Sequence, residues 1–278
     1  MMEKKYKLTE ETINVDGRTL YRIEALKDFN DVKKGDKGGF IENEKNLSQR
    51  GDCWIYDNAK VSDNAMVCCN AKVYGNAKIC DYAVAYDNAR VYGNTQVCDE
   101  AKVYYNAKVY GNARIYGKAR VLDNARVYGN TNVYHNAEVC GNTRIYGNAI
   151  VRGDAVVCGD AVVYDNAAVY GNARIYGNAE ICGDAEIASN SDYIVFKNWW
   201  SSGRYFTWTK NNNMWKVGCF YGTGEQLIEK AYKDSEKSGK EYKKVVVYVN
   251  SIKANEYDHV RKNIKERLLL KIRKLFGK

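Results

Sequence analysis

From Ile55 to Ile187 the chain carries Val or Ile at every sixth position, 22 times out of 23, with Ala85 as the exception. Four residues after each of these comes a small residue, Ala in 19 of 23 cases and Thr95, Thr131, Thr143 or Ser191 in the others. A typical unit, Ala107-Lys108-Val109-Tyr110-Gly111-Asn112, alternates inward and outward positions with the period of two that marks a strand, then turns through Gly-Asn. Gly, Asp or Asn at the corners suits a backbone that must enter left-handed φ/ψ. An α-helix does not fit, because an apolar period of six would spiral around a cylinder of 3.6 residues per turn. The pattern predicts very short strands joined by tight corners. Three units make an 18-residue triangular coil, each strand pairing with its equivalent one coil on. The run then holds about 7.7 coils and is roughly 37 Å long at about 4.8 Å per coil. No such unit buries a face alone, so neighbours supply the core and both ends need caps.

The fold class expected is therefore mainly β, a hexapeptide-repeat parallel β-helix over residues 54–192 with additions at either end. Residues 1–53 read as an N-terminal β cap, in which Thr12 to Val15 and Arg18 to Ile23 flank the hairpin signal Asp16-Gly17. Residues 193–253 read as an α+β module. Its apolar runs Tyr193 to Phe196, Tyr205 to Thr209 and Trp215 to Tyr221 suggest a small sheet, followed by a helix that Thr223 can cap. Residues 254–278 read as a basic amphipathic helix, apolar at Val260, Ile264, Leu268, Ile272 and Leu275/Phe276.

Composition adds four constraints. Proline is absent where an average chain of this length would hold roughly 14, and 24 tyrosines replace ordinary variety, both marks of repetition. The charged start, Met1 to Lys7, has no apolar stretch behind it, and no run approaches transmembrane length, so a cytoplasmic protein is expected. Nine cysteines in such a compartment read as free thiols. The net charge of +9 sits mostly in the tail, with eight Lys/Arg against Asp258 and Glu266 after residue 257. The repeats themselves hold 13 basic and 15 acidic residues.

The units resemble the hexapeptide repeat of left-handed parallel β-helices, found in many acyltransferases and in γ-class carbonic anhydrases; the left hand is implied by that resemblance alone. Residues Lys27-Asp28-Phe29-Asn30-Asp31-Val32, Gly38 to Ile41, Asn46 to Gln49 and Gly51 to Asp57 further resemble the start of the YdcK-like bacterial hexapeptide-repeat proteins. The likeness covers about residues 20 to 192. It implies a fold, a frequent prophage setting and, from many members of the wider superfamily, trimers; it implies no established activity.

Candidate chemistry is sparse. A hexapeptide acyltransferase needs a general-base histidine beside a cleft. The repeats offer His135 alone, at a corner with no inserted loop beside it, and the other histidine, His259, is in the tail. A zinc site of the carbonic anhydrase kind needs three histidines. Cys80 and Cys98, and Cys140 and Cys158, should stack as outward neighbours, but without the four-ligand set of a structural zinc site, so no metal and no cofactor is expected. The turn Ser201-Ser202-Gly203-Arg204 is a weak phosphate-binding signal. Folding the chain at 18 residues aligns Tyr56, Tyr74, Tyr92, Tyr110, Tyr128, Tyr146 and Tyr164, with Lys72, Arg90, Lys108, Arg126 and Arg144 beside the middle five. Such a face suits an anionic ligand or nucleic acid, while its blander use is mutual stacking and solubility.

An apolar girdle at Ile150, Val156, Val162 and Ala168, with Trp199 and Trp200 beyond, marks a candidate contact with a protein partner or another copy of the chain. Membrane contact by residues 258–278 is the less favoured use of the tail. The reading preferred on sequence is a non-enzymatic binding or scaffold rod presenting a C-terminal recognition module, as a prophage-borne factor acting on a host component. An acyltransferase-like enzyme using His135, and a binder of anionic polymers, stand as its alternatives. The repeat makes one firm prediction. Deleting a full 18-residue coil should leave the thermal midpoint nearly unchanged, whereas a two-residue insertion near Val109 should lower it sharply; equal midpoints would contradict the register.

Overall fold

The computed structural model describes residues 3–276, without the side chains of residues 256–261, 263–264 and 268–276. The described residues form two compact units, one of residues 3–196 and 205–212, the other of residues 197–204 and 213–276.

The first unit is a parallel β-solenoid. Among the described residues, 23 two-residue strands run from Trp54–Ile55 to Glu186–Ile187, one per hexad. They stack into three parallel sheets. Each strand meets its equivalent 18 residues away, as when Val91 faces Val73 on one side and Val109 on the other. Every corner from Asp57 to Gly183 has positive φ, including Asp63 at 59°, His135 at 59° and Gly111 at 75°. Glycine is required where coils touch most closely: a Cβ on Gly141 would come within 2.7 Å of the Gly159 carbonyl oxygen. Aspartate takes the corner elsewhere because its carboxylate accepts from the next corner's N–H, as Asp99 does from Gly117 at 2.8 Å.

The core is a column of Val, Ile and Ala, all fully buried. Threonine replaces alanine at no unpaired cost, since the Thr95 hydroxyl donates to the Tyr92 carbonyl at 2.7 Å and that of Thr131 to Tyr128 at 2.6 Å. Outside the core, asparagines following the corners form amide ladders, from Asn70 through Asn88, Asn106 and Asn124 to Asn142, and from Asn76 to Asn166 along another edge. These ladders gave no separate signal in the sequence, where Asn reads only as a corner residue.

Both ends of the solenoid are closed. At the start, β1 (Tyr6–Val15) and β2 (Arg18–Ala25) form the expected hairpin through Asp16-Gly17. The strand β3 (Lys37–Ile41) pairs antiparallel with β2 and parallel with Lys60–Val61, carrying the cap into the first coil. Trp54 plugs the core beneath the rings of Tyr6 and Phe29, and the Tyr6 hydroxyl donates to the Leu47 carbonyl at 2.7 Å. At the far end, Thr207 and Asn211 accept from the backbone of Glu180 and Glu186 at 3.0 Å, occupying amides that a further coil would otherwise bond.

The second unit contains an antiparallel pair, Met214–Val217 with Phe220–Gly222, and two helices, α1 (Gly224–Asp234) and α2 (Glu236–Phe276). Thr223 caps α1, with Gln226 returning the bond to its backbone. The helix α2 runs unbroken past residue 253. The apolar positions expected to make the tail amphipathic, and His259, lie outside the described side chains.

Four cysteines depart from the expectation of free thiols: Cys80 is bonded to Cys98 and Cys140 to Cys158. Stacking in register brings each pair's Cα atoms to 4.8 and 4.6 Å, within bridging distance, a constraint stronger than the compartment argument took into account.

The tyrosine column forms a ladder of rings. Tyr92, Tyr110, Tyr128, Tyr146 and Tyr164 stack with centroids 4.7 to 5.0 Å apart, and Tyr56 stacks on Tyr74 at 4.5 Å. Burial against neighbouring rings raises the phenols of Tyr74, Tyr92, Tyr110 and Tyr146 above the ordinary tyrosine value. A folded-state value raised above the unfolded one gives stability that is complete below the unfolded value of about 10 and is lost as pH climbs through the raised values. The urea midpoint should therefore hold up to about pH 10 and fall as the pH rises further. Changing Tyr92, Tyr110 and Tyr146 together to Phe should shrink that fall, and an unchanged fall in this variant would rule out the ladder as its source.

Candidate functional site

The cationic column stands beside the tyrosine ladder in the same sheet. Register pairs Lys72 with Arg90, Arg90 with Lys108, Lys108 with Arg126, and Arg126 with Arg144. Sequence reasoning treated the five as equivalent, and the structure separates them. Lys72 is bound by Asp31 of the N-terminal cap, which also accepts from the Tyr56 hydroxyl at 2.9 Å. Both contacts hold the Asp31 carboxyl below its usual range, the Lys72 bond contributing most. Arg90, Lys108, Arg126 and Arg144 form no carboxylate ion pair among the described residues.

The ladder itself cannot receive stacked bases along its length, because its ring faces are already spent on one another. Its exception is the joint between Tyr74 and Tyr92, where the rings meet at 89° with centroids 6.4 Å apart. Tyr74 follows Tyr56, whose ring is fixed by Asp31 and lies 5.7 Å from the Lys72 ammonium. Tyr92 follows the rings beyond it. A recess of about 280 Å³ opens at the joint, lined by Tyr74, Arg90, Tyr92 and Lys108.

His135 lies on a different edge, between the strands Asn132–Val133 and Glu138–Val139. Its side chain is exposed, and the ring of Tyr134 meets it edge-on at 4.8 Å. The corners one coil away on either side are Gly117 and Gly153, so no side chain stands directly above or below the imidazole on that edge. Arg152, one coil on from Tyr134, is held over the Tyr170 ring at 4.8 Å. Sequence reasoning noticed the histidine and missed the glycines flanking it; the spacing of 18 was the available signal.

Among the described residues, a potential metal cluster is Cys80, Asp81 and Cys98. A carboxylate does stand beside this cysteine pair, but with the disulfide formed neither sulfur is a thiolate donor. In the second unit, Ser201, Ser202 and Arg204 line a cavity of about 300 Å³ together with Lys230 and Tyr242. The buried Asn198 amide organises this turn, donating to the Tyr242 hydroxyl at 2.9 Å and accepting from the Ser201 backbone at 3.0 Å.

The candidate contact residues are unequal. Ile150 and Val156 are half-buried, and Trp199 is 73% exposed. Val162 and Trp200 are each only 7% exposed within the chain itself. Trp200 packs edge-on against Tyr242, so neither it nor Val162 offers an open apolar surface. Among the described residues, no helix is long and apolar enough to cross a membrane.

A family model described as the YdcK beta solenoid repeat matches residues 86–99, 107–123 and 143–159. The uncharacterized acetyltransferase YdcK of Escherichia coli (strain K12) is 40% identical to this chain over 79 residues. That match covers 25% of this chain and 24% of the relative, so it spans about a quarter of each. The likeness corrects the preference for a non-enzymatic rod, since the relative is named for an enzymatic activity. With the fold and the matched repeats in agreement, the chain is a YdcK-like β-helix protein.

Proposed function

We propose that the protein is an acyltransferase of the hexapeptide-repeat kind, with His135 as its general base. The observation carrying this reading is the exposed imidazole at a corner flanked by Gly117 and Gly153, the only imidazole in the repeats. The name of the partial relative supports the reaction class. Imidazole is the side-chain base best suited to proton exchange near neutrality.

In the proposed reaction an amine or hydroxyl of the acceptor approaches the carbonyl of an acyl thioester. His135 takes the acceptor's proton as the new N–C or O–C bond forms; the C–S bond then breaks and the proton returns to the leaving sulfur. Nearby, Arg152 is available to an anionic part of the donor. The repeat has no insertion between Ile55 and Ile187, so the chain builds no loop over His135. A second copy would supply the other wall of the cleft. This reading favours the cytoplasm, where acyl thioesters of coenzyme A are made and used.

The test is thiol release from acetyl-CoA with a panel of amine and hydroxyl acceptors. His135→Ala should lower the rate at least about 100-fold, the contribution typical of a general base, with the thermal midpoint unchanged. An unchanged rate, or no binding of acetyl-CoA at millimolar concentration, would remove the proposal.

A further inference from the structure

The perpendicular joint in the tyrosine ladder has the form of a binding site. Sliding a planar group between two parallel rings requires about 7 Å, twice the contact distance of roughly 3.5 Å. The stacked members of the ladder, at 4.5 to 5.0 Å, leave no such space. At the joint one ring offers only its edge to the other's face, so part of an aromatic face stays open toward the recess.

The charge beside that face is also distinct. Lys72 is neutralised by Asp31, whereas Arg90 and Lys108, which line the recess, form no carboxylate ion pair among the described residues. The cationic column thus becomes available at the level where the ladder opens. Arg90 and Lys108 are register partners on neighbouring strands, able to bracket one anionic group. At about 280 Å³ the recess is at the small end of ligand sites. It suits one ring system and one charged group, not a run of stacked bases.

We infer that the recess lined by Tyr74, Arg90, Tyr92 and Lys108 binds a single planar aromatic molecule carrying a phosphate or carboxylate, the ring lying on tyrosine and the anion held by Arg90 and Lys108. This goes beyond acyl transfer, because the recess is on another edge of the solenoid from His135. The same geometry replaces the expectation of an anionic polymer laid along the whole column with a site for one small molecule.

Calorimetric titration of the full chain with adenosine 5′-monophosphate tests the inference, with adenosine and ribose 5-phosphate as probes of each half. The monophosphate should bind at least about tenfold more tightly than either half, as two coupled contacts require. Arg90→Gln and Tyr92→Ala should each weaken it about tenfold, while Arg126→Gln, in the unbroken part of the same column, should change it less than about twofold. Thermal midpoints within about 2 °C of wild type would establish that the variants are folded. Equal losses from Arg90→Gln and Arg126→Gln would overturn the inference in favour of diffuse charge. So would binding of ribose 5-phosphate as tight as that of the monophosphate, absence of binding at millimolar concentration, or affinity for oligoadenylate that rises steadily with length.

Discussion

Backbone hydrogen bonds between successive coils are the constraint on which the solenoid depends. Through the interior coils, outward residues of each hexad donate to a carbonyl 17 positions ahead, as Arg90 does to Ala107 at 2.9 Å and Tyr92 to Val109 at 3.0 Å. One such bond contributes only about 1 kcal/mol net, and a lone hexad could not offset its ordering entropy. Repetition makes the bonds collective. Because the bond length fixes the distance between coils, residues of equal phase are forced into columns regardless of type. Val, Ile and Ala fill the centre, Asn amides and Tyr rings pair along the edges, and Lys and Arg stack despite their like charge.

This dependence explains what could be read in the sequence. The hexad was legible because inward positions tolerate little but Val, Ile, Ala and Thr, and the corners because φ near 60° restricts them largely to Gly and Asp. The cap hairpin was legible from Asp16-Gly17, and α1 from Thr223. Features set by a contact outside the repeat were not legible. Nothing in the order of tyrosines marks the joint between Tyr74 and Tyr92, since the orientation of the first ring follows from Asp31, far away in the chain. The disulfides were half legible: the spacing placed the sulfurs together, and an argument from compartment alone took them to be reduced.

A framework of this kind separates its candidate sites. His135 and the Tyr74/Tyr92 recess occupy different edges, each lined by residues of neighbouring coils. In both, function is suggested where a column is interrupted: glycines flank an imidazole at one, and a rotated ring opens a face at the other. Regular columns satisfy themselves through mutual contacts. Interruptions leave groups that can meet a ligand, which is a more restrictive guide than the presence of charge or aromaticity.

Amide hydrogen exchange resolved by residue over 54–187 tests the coil-to-coil bonding most directly. The account predicts slow exchange at strand amides such as Arg90, Tyr92, Lys108 and Tyr110 in every interior coil, repeating with the 18-residue period. Fast exchange at these amides in interior coils, or protection following a helical period, would contradict it.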